Sequence, residues 1–86
     1  MNASLPAKND KFENLLDLEF EANGARAQVA LQGAGVPPYR MQQMREAADR
    51  AKAARDTAVN ELTFEELCEF NEYRTKVWAY YAQRES

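Results

Sequence analysis

The sequence has no histidine, a single cysteine, three glycines and three prolines. Without histidine it lacks the side chain that most often acts as general base at neutral pH and as nitrogen ligand to zinc. The lone Cys68 has no partner for an internal disulfide, and no opening run combines a basic start, an apolar stretch and a small-residue cleavage site. No apolar run approaches the roughly 20 residues that cross a bilayer, and no basic amphipathic stretch with bulky anchors suggests lying on one. These absences predict a cytoplasmic protein with no membrane role. The few helix breakers cluster between Asn23 and Pro38, so a break in architecture is expected there.

What is present is the composition of an ordinary folded domain, 45% hydrophobic and 29% charged over 86 residues. A chain of this length buries only roughly 60–65% of the surface it exposes when unfolded, which predicts one small domain of thin stability. The net charge of −3 is unevenly divided. Residues 1–36 set Lys8, Lys11 and Arg26 against Asp10, Glu13, Asp17, Glu19 and Glu21, a net −2. Residues 37–60 set Arg40, Arg45, Arg50, Lys52 and Arg55 against Glu46, Asp49 and Asp56, a net +2, and residues 61–86 return to −3. A basic middle beside two acidic ends predicts that the middle segment packs next to the outer ones.

Residues 1–8 lack periodicity and contain Pro6, and are expected to form a flexible arm. Asp10 with Glu13 has capping-box spacing, and Phe12, Leu15 and Leu16 supply one apolar side of a short helix. From Leu16 the pattern alternates, Leu16, Leu18, Phe20 and Ala22 against Asp17, Glu19 and Glu21. That is the two-residue period of a half-buried strand. Asn23-Gly24 follows, the pair best suited to a type I′ turn. Folding back about it sets Phe20 opposite Ala27, Leu18 opposite Val29 and Glu21 opposite Arg26. The expectation is a β-hairpin over about 16–31. Its rival is a helix from Asp10 to about Gln32, supported by Ala, Leu, Glu, Gln and Arg as good helix formers. That helix carries Asn23-Gly24 in its middle and places Glu19, Asn23 and Arg26 within its apolar arc.

Residues 33–37 read as a linker. With Pro38 near the first helical position, a long helix is predicted over about 38–61, with an inner stripe of Met41, Met44, Ala48, Ala51, Ala54 or Arg55, Ala58 and Leu62. Thr63 with Glu66 is a second capping box and opens a helix over about 64–84, whose apolar side is Leu67, Phe70, Val77, Trp78 and Tyr81, widened by Tyr73. The short link predicts an antiparallel αα-hairpin whose large residues complement the alanines. The expected fold class is therefore α+β, a short N-terminal helix and a β-hairpin packed on that αα-hairpin; the alternative is an all-α three-helix bundle.

No residue set is equipped for catalysis, and no catalytic residue, cofactor or metal is assigned. Cys68 sits among Glu65, Glu66, Glu69 and Glu72, whose charge opposes the thiolate a nucleophile requires. Glu65, Glu69 and Glu72 lie along one helix face, the usual form of a solvated acidic surface, with no EF-hand spacing. Gly33-x-Gly35 lacks the third glycine and the lysine of phosphate-cradling loops. The basic residues of 38–60 scatter around the helix axis with carboxylates between them, and the pI is about 4.9. Both observations argue against nucleic acid as a partner.

One feature exceeds the needs of folding: Tyr73, Arg74, Trp78, Tyr80 and Tyr81, residue types that dominate binding hot spots. One helix face cannot bury Trp78, Tyr80 and Tyr81 together. Arg74 falls inside the apolar stripe between Phe70 and Trp78, where it must pair with a carboxylate or meet a partner. A purely structural account puts Trp78 and Tyr81 in the core and Tyr73 and Tyr80 at its boundary. The functional account makes these five a binding surface for another protein or for a second copy of the chain. Small size, acidity and missing chemistry match the general profile of inhibitors and accessory factors carried by phages and plasmids, an analogy of composition with no motif behind it. The alternatives are a self-assembling structural subunit and a nucleic-acid-binding regulator.

Overall fold

The computed structural model describes residues 4–85, and among them there is no strand. Three helices carry the chain: α1 (Asp10–Gln32), α2 (Pro38–Asn60) and α3 (Phe64–Glu85), with a 3-10 turn at Gly33–Gly35 after α1. Residues 4–9, the described part of the expected arm, have no regular secondary structure.

The expected α+β class is thus overturned, and with it the hairpin at 16–31. Residues 10–32 are one helix of 23 residues, and Gly24 does not adopt a positive φ. The alternation of Leu16, Leu18, Phe20 and Ala22 was a short coincidence of period two inside a stretch rich in helix-forming residues. A glycine in a helix interior costs about 1 kcal/mol relative to alanine, which a long run of good helix formers and tertiary packing outweigh. The polar residues in the apolar arc are also accommodated. Glu19 accepts a hydrogen bond and ion pair from Arg74 of α3 at 2.5 Å. Asn23 Oδ1 accepts from Arg26 Nη2 at 3.3 Å on the exposed side of the helix.

The start of α1 lies one residue earlier than the expected capping box. Asn9, not Asp10, is the cap: its Oδ1 accepts from the Phe12 amide at 3.1 Å and its carbonyl from the Glu13 amide at 2.8 Å. Asn and Asp cap about equally well, and the shift leaves Asp10 and Glu13 in the first turn, where their charge meets the positive end of the helix dipole. The second capping box forms as expected. Glu66 N donates to Thr63 Oγ1 at 3.1 Å, and Thr63 N donates to Glu66 Oε1 at 3.0 Å. Pro38 occupies the first turn of α2, where its missing amide proton is not needed.

The packing order also differs from the expected αα-hairpin. α2 runs back antiparallel along α1, not against α3, so α1 lies between the other two. The stripe Met41, Met44, Ala48, Ala51, Arg55, Ala58 and Leu62 is partly buried throughout, while Ala54 is exposed. Small side chains on both helices, with Ala22 buried on α1, give the large aromatics of α3 nothing to fill there. Two of those aromatics, Phe70 and Tyr73, instead meet Phe12. The core is small and sits where the beginning of α1, the end of α2 and the beginning of α3 come together. Phe12, Leu15 and Phe70 are buried, with Leu16, Ala58, Val59, Leu62 and Tyr73 against them. The Phe12 ring lies 5.5 Å from Phe70 and 5.4 Å from Tyr73, both tilted.

Beyond that junction α3 separates from α1, while α2 stays along it. The molecule measures 48 × 35 × 16 Å, little thicker than one helix with its side chains, roughly 10–12 Å. Its radius of gyration is 15.8 Å, where a compact chain of this length has about 12 Å. It exposes 6697 Å², about 1,500 Å² more than a folded monomer of its mass typically does.

Candidate functional site

α3 continues past the core by about half its length, and its second half faces α1 across an open cleft. The cleft encloses about 540 Å³ and is walled by Leu16 and Phe20 of α1 and by Val77, Trp78 and Tyr81 of α3. Its position follows from helical spacing on both sides. Leu16, Phe20 and Gly24 recur every four residues on α1, and Val77 and Tyr81 do so on α3 with Trp78 beside them. Gly24 has no side chain to narrow the opening, and nothing lies within 4 Å of the place a Cβ would take.

The closed and open parts of the α1–α3 contact meet at one ion pair. Arg74 Nη1 donates to Glu19 Oε1, its Nη2 donates to Asn71 Oδ1 at 2.8 Å, and its guanidinium lies 5.5 Å from the centre of the Phe70 ring. Both members of the pair are half-buried. Arg74 thereby pairs with a carboxylate, one of the two fates its place in the apolar stripe allowed. Lys11 Nζ donates to Glu66 Oε2 at 2.5 Å and ties the first turns of α1 and α3 together. That bond, with the one from the Thr63 amide, lowers the Glu66 pKa to about 2. Tyr73 is half-buried on the Phe12 ring, and its phenol pKa is raised, first by loss of hydration and then by the negative charge of Glu13.

The five aromatic and basic residues singled out in the sequence therefore divide into three settings. Tyr73 and Arg74 belong to the edge of the core. Trp78 and Tyr81 line the cleft and remain 63% and 50% exposed, which removes the account that placed them in the core. Tyr80 points away from the cleft; Arg84 Nη1 donates to its hydroxyl at 2.9 Å and stacks 5.6 Å from its ring centre. Tyr80 and Tyr81 pack edge to face at 5.1 Å. Phe20, 75% exposed, is the wall residue that sequence reasoning missed, because the strand reading turned it toward a hairpin partner. Its signal was the four-residue spacing from Leu16, which on a helix stacks the two side chains.

The charged residues that line the cleft are Asp17 and Glu19, both on α1. Glu13, Asp17 and Glu21 follow one another along the outer edge of α1, and none is ion-paired among the described residues. From Tyr73 to Arg84, α3 carries Arg74, Lys76 and Arg84 and no carboxylate. Among the described residues no three His, Cys, Asp or Glu side chains are grouped to hold a metal ion. Cys68 is exposed on α3. No helix among the described residues is long and apolar enough to cross a membrane. Comparison with known proteins returns no match: no family model, no curated protein and no solved structure is significantly similar to this chain.

Proposed function

We propose that this chain is a non-enzymatic protein-binding module and that its binding surface is the cleft between α1 and α3. The observation that carries the reading is the exposure of Phe20, Trp78 and Tyr81 together on two facing helices in a chain with few buried residues. Exposed apolar residues scattered singly need no explanation, whereas aromatics gathered in one concave patch mark an interaction site. Trp and Tyr each bring a large apolar body with a polar tip, the combination that dominates binding hot spots. A cleft with apolar walls and charged rims suits the apolar face of an amphipathic helix laid between α1 and α3. A small chain of this kind works by occupying or bridging a surface of another polypeptide, the mode of small inhibitors and accessory factors.

Photo-crosslinking in the living cell tests the reading. A photoreactive phenylalanine analogue replacing Phe20 or Trp78 should give discrete protein adducts, and the same group replacing Arg50 on the outside of α2 should give none. Adducts from Arg50 in equal yield, or none from either cleft position, would remove the cleft as the binding surface.

A further inference from the structure

We infer that the occupant of the cleft is a basic amphipathic helix of another polypeptide. Its apolar side lies against Phe20, Trp78 and Tyr81, and Lys or Arg side chains line the flank that passes Asp17 and Glu21. The inference rests on the cleft being a protein-binding surface and names the chemistry of its partner. The first argument is charge. Of the two carboxylates that line the cleft, Glu19 is paired with Arg74 and Asp17 is not. Glu21 stands one turn beyond Asp17, and both are exposed and outside every ion pair among the described residues. They lie past the first turn of α1, where the helix dipole no longer stabilises an acid, and like charges four residues apart repel. The two cations of α1 are committed elsewhere, Lys11 to Glu66 and Arg26 to Asn23. On α3, Lys76 lines a separate hollow beside Ser4, Leu5 and Pro6, and Arg84 lies on Tyr80, so the facing wall brings no cation to them. A cationic flank on the occupant supplies what the chain does not, and cations are also drawn to the faces of Trp78 and Tyr81.

The second argument is shape. The apolar row on the α1 side does not stop at the mouth of the cleft. From Phe20 it continues through Gly24 and Ala27 to Leu31, at spacings of four, three and four, and all four positions are exposed. Phe20 and Leu31 are the two most exposed large hydrophobics on α1, at 75% and 84%. Such spacing is that of a seam along which a second helix lies. From Leu16 to Leu31 the row runs about 23 Å at 1.5 Å per residue, about four turns of a partner helix. Asp17 and Glu21 stand three residues before Phe20 and Gly24 and therefore border this row along its length. A strand would find no sheet edge to join among the described residues, and the same carboxylates repel nucleic acid and anionic membranes.

Peptide selection against the purified full chain decides the matter. The probe is a display library of amphipathic helices of about 18 residues, long enough to cover the row. Core heptad positions are apolar, and flanking positions draw Lys, Arg, Glu, Asp and Gln in equal proportion. Lys and Arg should be enriched over Glu and Asp among the binders, and selection against Asp17→Lys with Glu21→Lys should reverse the preference. A recovered peptide free of tryptophan should shift the emission of Trp78, the sole tryptophan, to the blue. It should bind the charge-reversed chain about 10-fold or more weaker, and Trp78→Ala about 30-fold or more weaker. Circular dichroism confirms that each variant remains helical, as expected of changes at exposed positions. Binders with an acidic flank, or with no charge preference, overturn the inference but leave the cleft a protein-binding surface. A chain that sediments as a dimer with buried Trp78 does the same, because a second copy then holds the cleft. Binders indifferent to Trp78→Ala, or no binders at all, overturn both.

Discussion

The two ends of the α1–α3 contact are built from the same kinds of residue and reach opposite outcomes. At the junction, Phe12 meets Phe70 and Tyr73, and Phe70 is 1% exposed. Two to three turns further along the same helices, Phe20 faces Trp78 and Tyr81, and all three stand in water. Composition does not separate the regions. The junction is closed because α2 ends there and contributes Ala58, Val59 and Leu62 as a third wall; at the cleft α2 lies on the far side of α1. Three elements enclose a space where two leave a groove, and this is why one aromatic cluster stabilises the chain and the other is available to a partner.

The sharpest way to break the comparison is Phe70→Ala. Removing a ring this deeply buried costs about 3–5 kcal/mol, a large share of the stability of a domain of this size, so thermal melting should show a mostly unfolded chain. Arg74→Ala comes next. It leaves the half-buried Glu19 without its cation, and a loss of about 1–2 kcal/mol is expected, between that of a surface pair and that of a buried one. A double-mutant cycle with Glu19→Gln should return most of that loss as coupling, because Asn71 is the only other side chain that Arg74 hydrogen-bonds among the described residues.

Gly24→Ala should have a smaller effect of opposite sign. In a helix interior with open space at the Cβ position, it should stabilise by about 0.5–1 kcal/mol, visible as a higher melting temperature. In the type I′ turn that the sequence suggested, the same change would destabilise, so this single measurement separates helix from hairpin. Phe20→Ser, at the open end, should change the stability of the chain by within about 0.5 kcal/mol in denaturant titration, the converse of Phe70.

The last expected effect is confined to acid. The Glu66 pKa is lowered from 4.5 to about 2, so its ionised form stabilises the fold fully above pH 4.5. That contribution fades as pH falls from about 4.5 towards 2, and it disappears once the carboxyl is protonated in both states. Glu66→Gln should flatten the melting temperature over this window, with little change in slope above it.

Several elements were legible before folding. The capping box at Thr63 and Glu66, the proline opening α2, and the half-buried stripe from Met41 to Leu62 all rest on contacts between residues three or four apart. Such contacts follow from the chain's own periodicity. Residues 10–32 were misread because a run of Leu, Phe and Ala separated by acidic residues satisfies two periods at once, and Asn-Gly favoured the wrong one. The anomaly at Arg74 was visible as a basic residue in an apolar stripe. Its partner was not, since Glu19 lies 55 positions away and was assigned to a strand.

The sequence by itself determined three things: that α2 and α3 are helices, where each begins, and that the aromatics of α3 exceed what one helix face can bury. All are consequences of local spacing and of side-chain character. Tertiary structure alone decided that α1, whose residues by themselves allow both helix and hairpin, lies between the other two, that Phe70 is sealed while Trp78 is not, and that Glu19 answers Arg74. Each of these depends on which distant segment arrives as the third wall, and that is set by the close approach of small residues on α1 and α2.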